Sequence, residues 1–340
     1  MRNILNIAAV VFATSVATAA VMPAAGPGSS LYATDAYPGF DLTGEIAAPE
    51  KKNPRWFQFI YGPEKNSPAE QMAYCKALEA EGDWSDAADE YDALVRKWPY
   101  SPEAPVAQER FADILLEHLD STERAIKEYR YLLDFYPSKC DYAKIAEHLY
   151  KACEMWRAEG KMFIFFRFAN TVDVRLAYEA LVVRAPGASF APKAMLTIAS
   201  LREEDEDLEN AISVYGNLRN AHHTSKEALE AIFREADARM KLLERKAYNR
   251  SRTLDVLAFL RQAVDTASND ERTEKLRQYY QELNTKLEDE DWKSTLFYDS
   301  PTRTKKSAIN ALQKFIAEHP GSSYAEKARE RLKELQEVSK

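Results

Sequence analysis

The side chains from which this sequence could build chemistry are three cysteines, five histidines and 54 carboxylates. Cys75, Cys140 and Cys153 form an odd set at irregular spacing, which is neither a disulfide framework nor a zinc pattern. Cys140 and Cys153 are predicted on one helix, about 20 Å apart along its axis, whereas a bridge needs Cα atoms within about 7 Å. Cys75 falls where a small buried residue is expected. His222 and His223 adjoin at a turn without a cysteine or carboxylate frame for a metal. His319 stands just before a proline, in the place that Trp98 and Tyr136 hold elsewhere, and reads as structural. His118 and His148 belong to no motif. The acidic run Glu203 to Asp207 lacks the regular spacing and central glycine of a calcium loop. It reads as a solvated loop before a helix whose positive end it suits. No serine lies in a nucleophile elbow, and no glycine-rich phosphate loop occurs. The remaining carboxylates alternate with Lys and Arg as solvated helical surface. These observations predict no catalytic residue, no metal and no cofactor, and point to binding without chemistry.

The elements that must position these residues repeat. With Pro99, Pro137, Pro186 and Pro320 as anchors, the residues eight before are Tyr91, Tyr129, Tyr178 and Leu312. Five before stand Leu94, Leu132, Leu181 and Phe315, and four before Val95, Leu133, Val182 and Ile316. Twelve before stand Ala87, Ala125 and Ala308. These offsets place one apolar stripe on one helical face, and each proline stops its helix at the preceding residue. Eight past the anchor come Ala107, Ala194 and Ala328, and thirteen past it Ala112 and Ala199, small enough for a neighbouring helix to approach closely. A fifth copy has His223 at the anchor, with Ala211, Tyr215, Leu218, Ala231 and Ala236 in phase. The anchor spacings are 38, 49, 37 and 97. Two-helix units of this length are the signature of a helical solenoid. The predicted fold is an all-α, right-handed superhelical array of about five or six tetratricopeptide-like pairs over residues 67–338. In it Asp83 or Ser85, and Ser121 or Thr122, cap second helices.

Residues 1–19 read as an export signal: Arg2, an apolar run from Ile4 to Val16, then the small-x-small site Ala17-Thr18-Ala19. No later stretch reaches the roughly 20 apolar residues of a membrane span. Residues 20–66 read as a flexible leader, rich in Pro and Gly and without heptads. At its end Trp56, Phe57, Phe59 and Tyr61 form an aromatic patch, which either covers the open end of the solenoid or contacts a partner. The 49-residue spacing reflects an insertion near 159–170 carrying Phe163, Phe165 and Phe166. It either folds back as core, the preferred reading, or offers a sticky surface. Only 10 glycines occur, which disfavours β-rich folds. The net charge of −8 argues against a general nucleic-acid binder.

The export signal, the helical pairs, Ala125-Ile126 through Tyr129 and Leu132-Leu133 to Tyr136-Pro137, and Ser322-Ser323-Tyr324-Ala325 after Pro320 together resemble the BamD/YfiO outer-membrane-assembly proteins. The resemblance covers roughly residues 67–338. It implies a curved periplasmic scaffold, with one end handling unfolded outer-membrane proteins and the other docking the barrel-inserting subunit. Members of that family are usually tethered by a lipid-modified cysteine at the mature N-terminus. This chain departs from them, since its first cysteine is Cys75. Two rival readings are a YbgF/CpoB-like envelope adaptor, whose N-terminal coiled coil the leader lacks, and an enzyme or enzyme subunit built on helical repeats.

Overall fold

The computed structural model describes residues 62–162 and 171–337, with side chains to residue 159 in the first stretch. Among these residues there are thirteen helices and no strand. The first four are α1 (Pro68–Glu81), α2 (Trp84–Lys97), α3 (Ala104–Glu117) and α4 (Thr122–Phe135). α5 (Tyr142–Met162), α6 (Thr171–Arg184), α7 (Ala191–Glu204) and α8 (Leu208–Ala221) follow. The array closes with α9 (Lys226–Arg245), α10 (Arg250–Thr266), α11 (Thr273–Tyr298), α12 (Lys305–Glu318) and α13 (Ala325–Glu337). Each helix packs on the next in sequence, and α9 also touches α7 and α11. The chain is an all-α solenoid of tetratricopeptide-like pairs: α1 to α12 make six, and α13 is a terminal helix.

One turn closes every second helix. The amide of the residue before the anchor donates to the carbonyl four residues back: Trp98 to Leu94, Tyr136 to Leu132, Ala185 to Leu181, His222 to Leu218 and His319 to Phe315. Three residues later a second amide donates back to that cap: Ser101 to Trp98, Lys139 to Tyr136, Ala188 to Ala185, Ser225 to His222 and Ser322 to His319. The same two bonds recur at Ala267 to Ala263 and Asp270 to Ala267. Ser268 is therefore a sixth anchor, dividing the 97-residue gap into 45 and 52. The residue eight before it is Leu260, fully buried where four other units carry tyrosine and the last carries Leu312. Without the proline and the aromatic ring, this unit had weak phase in the sequence.

Ser67, Ser225, Asn249 and Thr304 cap their helices by accepting from the amide three residues on. The second helices α2 and α4 begin differently from expectation. Asp83 and Ser121 occupy the cap positions, but neither side chain makes a capping bond, and Ser85 and Thr122 lie inside the helices. At Asp83 ψ is 69°, against 151° at Ser67, outside the extended backbone conformation typical of a capping residue. The Ser121 hydroxyl instead donates to the Leu119 carbonyl at 3.1 Å. The acidic run is divided as well: Glu203 and Glu204 end α7, and only Asp207 sits at the start of α8.

Tyr91, Tyr129, Tyr178 and Tyr215 are the bulkiest fully buried side chains, and Ala87, Ala125, Ala211, Ala308 and the crossing alanines are buried with them. Cys75 and Cys153 are buried and Cys140 half-buried, all as free thiols. Burial pushes the Cys75 thiol up to about 12. Pro99 is half-buried, while Pro137, Pro186 and Pro320 are exposed at the turns. One apolar core runs from Met72 to Ala231, a second from Ile232 to Leu287, and a third joins Leu312, Phe315 and Ala328 to Trp292.

Candidate partner-binding face

The buried tyrosines are amphipathic, and their hydroxyls need partners. Each finds a carboxylate on the first helix of its own pair. Tyr91 donates to Glu79, Tyr129 to Asp113 at 2.7 Å, Tyr178 to Glu154 at 2.5 Å and Tyr215 to Glu203 at 2.6 Å. Most of these carboxylates also reach the next first helix. Arg110 of α3 binds Glu79 of α1 at 2.5 Å, and Lys144 and His148 of α5 meet Glu109 and Asp113 of α3 at 2.7 and 3.3 Å. Lys193 of α7 lies 3.6 Å from Glu154 of α5, and Arg234 of α9 lies 3.4 Å from the Ser200 hydroxyl of α7. Arg272, at the start of α11, binds Glu230 of α9 at 2.6 Å, and Lys275 binds Asp237 at 2.7 Å. The first helices thus share a ladder of charges, anchored on one side to core tyrosines. Its cations stay accessible: Lys193 and Lys275 are about half exposed.

The electrostatics follow from this geometry. Burial works to raise the Glu79 carboxyl, but the Arg110 guanidinium and the Tyr91 hydroxyl hold it below its ordinary value. At Glu154 burial is likewise outweighed, by Tyr178, Arg157 and Lys193, and at Glu230 by Arg272 and Arg234. These acids are held ionised and spoken for, which suits a charged recognition surface better than proton transfer. Aromatic rings border the ladder. Tyr150 stacks on Phe190 with ring centres 4.8 Å apart, and Lys193 lies over the Tyr150 ring. Trp84 stacks on His118 at 3.6 Å. At the α3–α4 turn, an open cavity of about 510 Å³ is bordered by Thr122, Arg124, Lys127 and Trp156.

The candidate contact residues Trp56, Phe57, Phe59 and Tyr61, and Phe163, Phe165 and Phe166 of the insertion, lie outside the described residues. His222 is half-buried and His223 exposed at the α8–α9 turn. His319 is buried, its Nε2 2.9 Å from Asp291. Asp291, Glu318 and His319 stand close enough to share an ion. However, the Arg250 guanidinium already donates to both Asp291 oxygens and to Glu318. That cluster ties the start of α10 to α11 and to the end of α12.

Sequence reasoning missed the carboxylates of the ladder. Glu79 and Glu203 precede their tyrosines by 12 residues, Asp113 by 16 and Glu154 by 24, so no fixed offset marks them. A readable signal does exist in Gln71 and Gln108, which donate to the carbonyl and carboxylate of Glu90 and Glu128 on their second helices at nearly equal separations.

No protein-family model matches the chain, and no curated protein matches it. Similar solved structures include the complex of the TPR2AB domain of yeast Sti1 with pHSP90, 16% identical, covering 64% of this chain and 86% of that one at a TM-score of 0.28. A tetratricopeptide repeat protein from Parabacteroides merdae is 13% identical, with coverage of 79% and 98% and a TM-score of 0.30. The C-terminal part of a repeat-containing protein from Cytophaga hutchinsonii is 14% identical, with coverage of 76% and 98% and a TM-score of 0.25.

Proposed function

We propose that this chain is a non-catalytic scaffold of the cell envelope, which holds a partner domain or an extended peptide on the face formed by its first helices. The observation that carries the reading is the ladder itself. It fixes half-exposed cations and paired acids in register across successive first helices, as a surface for reading another macromolecule requires. The envelope setting is supported by the export-signal pattern of residues 1–19, and the role in outer-membrane protein assembly by the repeat motifs shared with BamD/YfiO proteins.

The test is a pull-down from envelope extracts, with partners identified by mass spectrometry. Recovery of the barrel-inserting subunit or of unfolded outer-membrane proteins supports assembly. Recovery of peptidoglycan synthases or Tol-type proteins supports a YbgF/CpoB-like adaptor instead. Lys193→Glu and Arg234→Glu, both on the accessible side of the ladder, are expected to reduce capture severalfold. Unchanged capture by both variants refutes the assignment of the binding face.

A further inference from the structure

The end of α11 breaks the rules that the rest of the chain obeys. Leu296, Phe297 and Tyr298 are 48%, 54% and 43% exposed, in a chain whose other large apolar side chains are mostly covered. The two rings lie edge to face at 5.4 Å, and the Arg303 guanidinium sits 4.5 Å over Phe297. Between Lys293 and Lys306 there are four cations and a single acid, Asp299. Arg331 of α13 takes that acid at 2.8 Å, so Arg303 and Lys306, both exposed, and the half-buried Lys305 have no acid of their own segment left to balance them. Lys305 and Lys306 are also the first two residues of α12, which has no acid in its first turn. Cations there oppose the helix dipole, so the fold gains nothing from them. Local choices that cost stability without a structural return mark functional sites.

We propose that this tip binds the anionic headgroup surface of a lipid bilayer, with Leu296, Phe297 and Tyr298 entering the boundary between headgroups and acyl chains. Three consecutive helical residues sweep through about 200° around the axis. They therefore cannot lie together on one flat face against a rigid protein partner. A fluid boundary closes around such a tip from all sides, and aromatic and aliphatic side chains with a basic rim are the residues that settle there. Charge complementarity selects the pole. The chain as a whole carries −8 and is repelled by an anionic surface, whereas this segment is basic and attracted to it. Contact of this kind needs no spanning helix, and among the described residues no helix is long and apolar enough to cross a membrane.

The experiment is co-sedimentation of the full chain with vesicles of phosphatidylcholine alone, or of phosphatidylcholine and phosphatidylglycerol in equal parts, at low and at raised salt. Binding is expected to the mixed vesicles only, and to weaken with salt. Each cation near the surface contributes about fivefold in partitioning, so Lys305→Glu with Lys306→Glu is expected to reduce binding by more than tenfold. Phe297→Ser with Tyr298→Ser, at exposed positions, is expected to abolish it while the melting temperature holds. Equal binding to both vesicle types overturns the proposal, as does binding that survives charge reversal. So does a dimer in solution that Phe297→Ser converts to monomer, which would make a second copy the occupant. If the aromatic variant fails to fold, the charge variant decides alone. A failure here leaves the first-helix face untouched, because Lys193 and Arg234 are read out by protein capture.

Discussion

Replacing Tyr129 by phenylalanine removes one atom from the interior and tests the link between core and ladder. The Tyr129 ring is 1% exposed and its hydroxyl donates to Asp113 at 2.7 Å, with Asp113 itself 7% exposed. A hydrogen bond to a charged group contributes about 1.5–3 kcal/mol. Asp113 keeps Arg110 at 3.2 Å and His148 at 3.3 Å, so the carboxylate is not orphaned. The loss should fall near the lower end, about 1.5 kcal/mol. Tyr129→Ala deletes the ring as well and should cost about 3–5 kcal/mol, as other large-to-small aromatic core changes do. A double-mutant cycle with Asp113→Ala isolates the pair, and the coupling should exceed about 0.5 kcal/mol. Long repeat arrays need not unfold in one step, so urea melts should be paired with hydrogen exchange resolved to α3 and α4. The reasoning fails if Tyr129→Phe exchanges like the parent there, or if Tyr129→Ala costs no more than Tyr129→Phe.

Three further outcomes follow from the turns and the ladder. Leu260→Ala, at the tyrosine position of the proline-free fifth pair, should destabilise by about 2–5 kcal/mol; a melt unchanged from the parent would remove Ser268 from the set of anchors. His223→Pro should hold or raise stability, by up to about 1 kcal/mol. The preceding His222 sits at φ −130°, ψ 41°, close to Tyr136 at −125°, 37° before Pro137, and a clear drop in melting temperature counts against the shared turn. Acidification should destabilise the chain. In Glu79, Glu154, Glu230 and Asp291 burial is outweighed by cations and hydroxyls, and the folded carboxyls lie below their unfolded values. Their contribution is present above the unfolded values, about 4.3 for the glutamates and about 3.9 for Asp291, and is lost as pH falls through the folded values. Burial raises the Glu90 carboxyl, so that group works in the opposite direction, against these four and against Glu209 and Asp270, which Lys246 and Arg272 also hold below their ordinary values. A melting temperature flat from neutral pH to below that window would refute the assignment.

The repeat was legible where several residues reinforce one backbone geometry, and faint where they do not. At Pro137 a tyrosine eight residues back, leucines five and four back and the proline itself all favour the same helix end. At Ser268 the two closing hydrogen bonds are the same, but Leu260 replaces the ring and no proline follows Ala267. Ala267 has ψ at 20°, whereas Trp98, Tyr136 and His319, each before a proline, lie between 37° and 58°. A following proline disfavours the tighter value. The unit that drifted toward a tighter turn is thus the one in which proline fits least.

The charges of the first helices were illegible for a different reason. A core side chain must meet neighbours at fixed distances, so its sequence offset is fixed too. A long acidic or basic side chain can reach a partner from several positions along a helix. Tyr91 and Tyr129 accordingly find Glu79 and Asp113 at separations of 12 and 16 residues, one helical turn apart, while their rings occupy equivalent buried sites. The backbone turn and the buried ring repeat because packing leaves no slack. The ladder varies because reach supplies slack, and that freedom lets successive units keep the same stacking while presenting different charges to a partner.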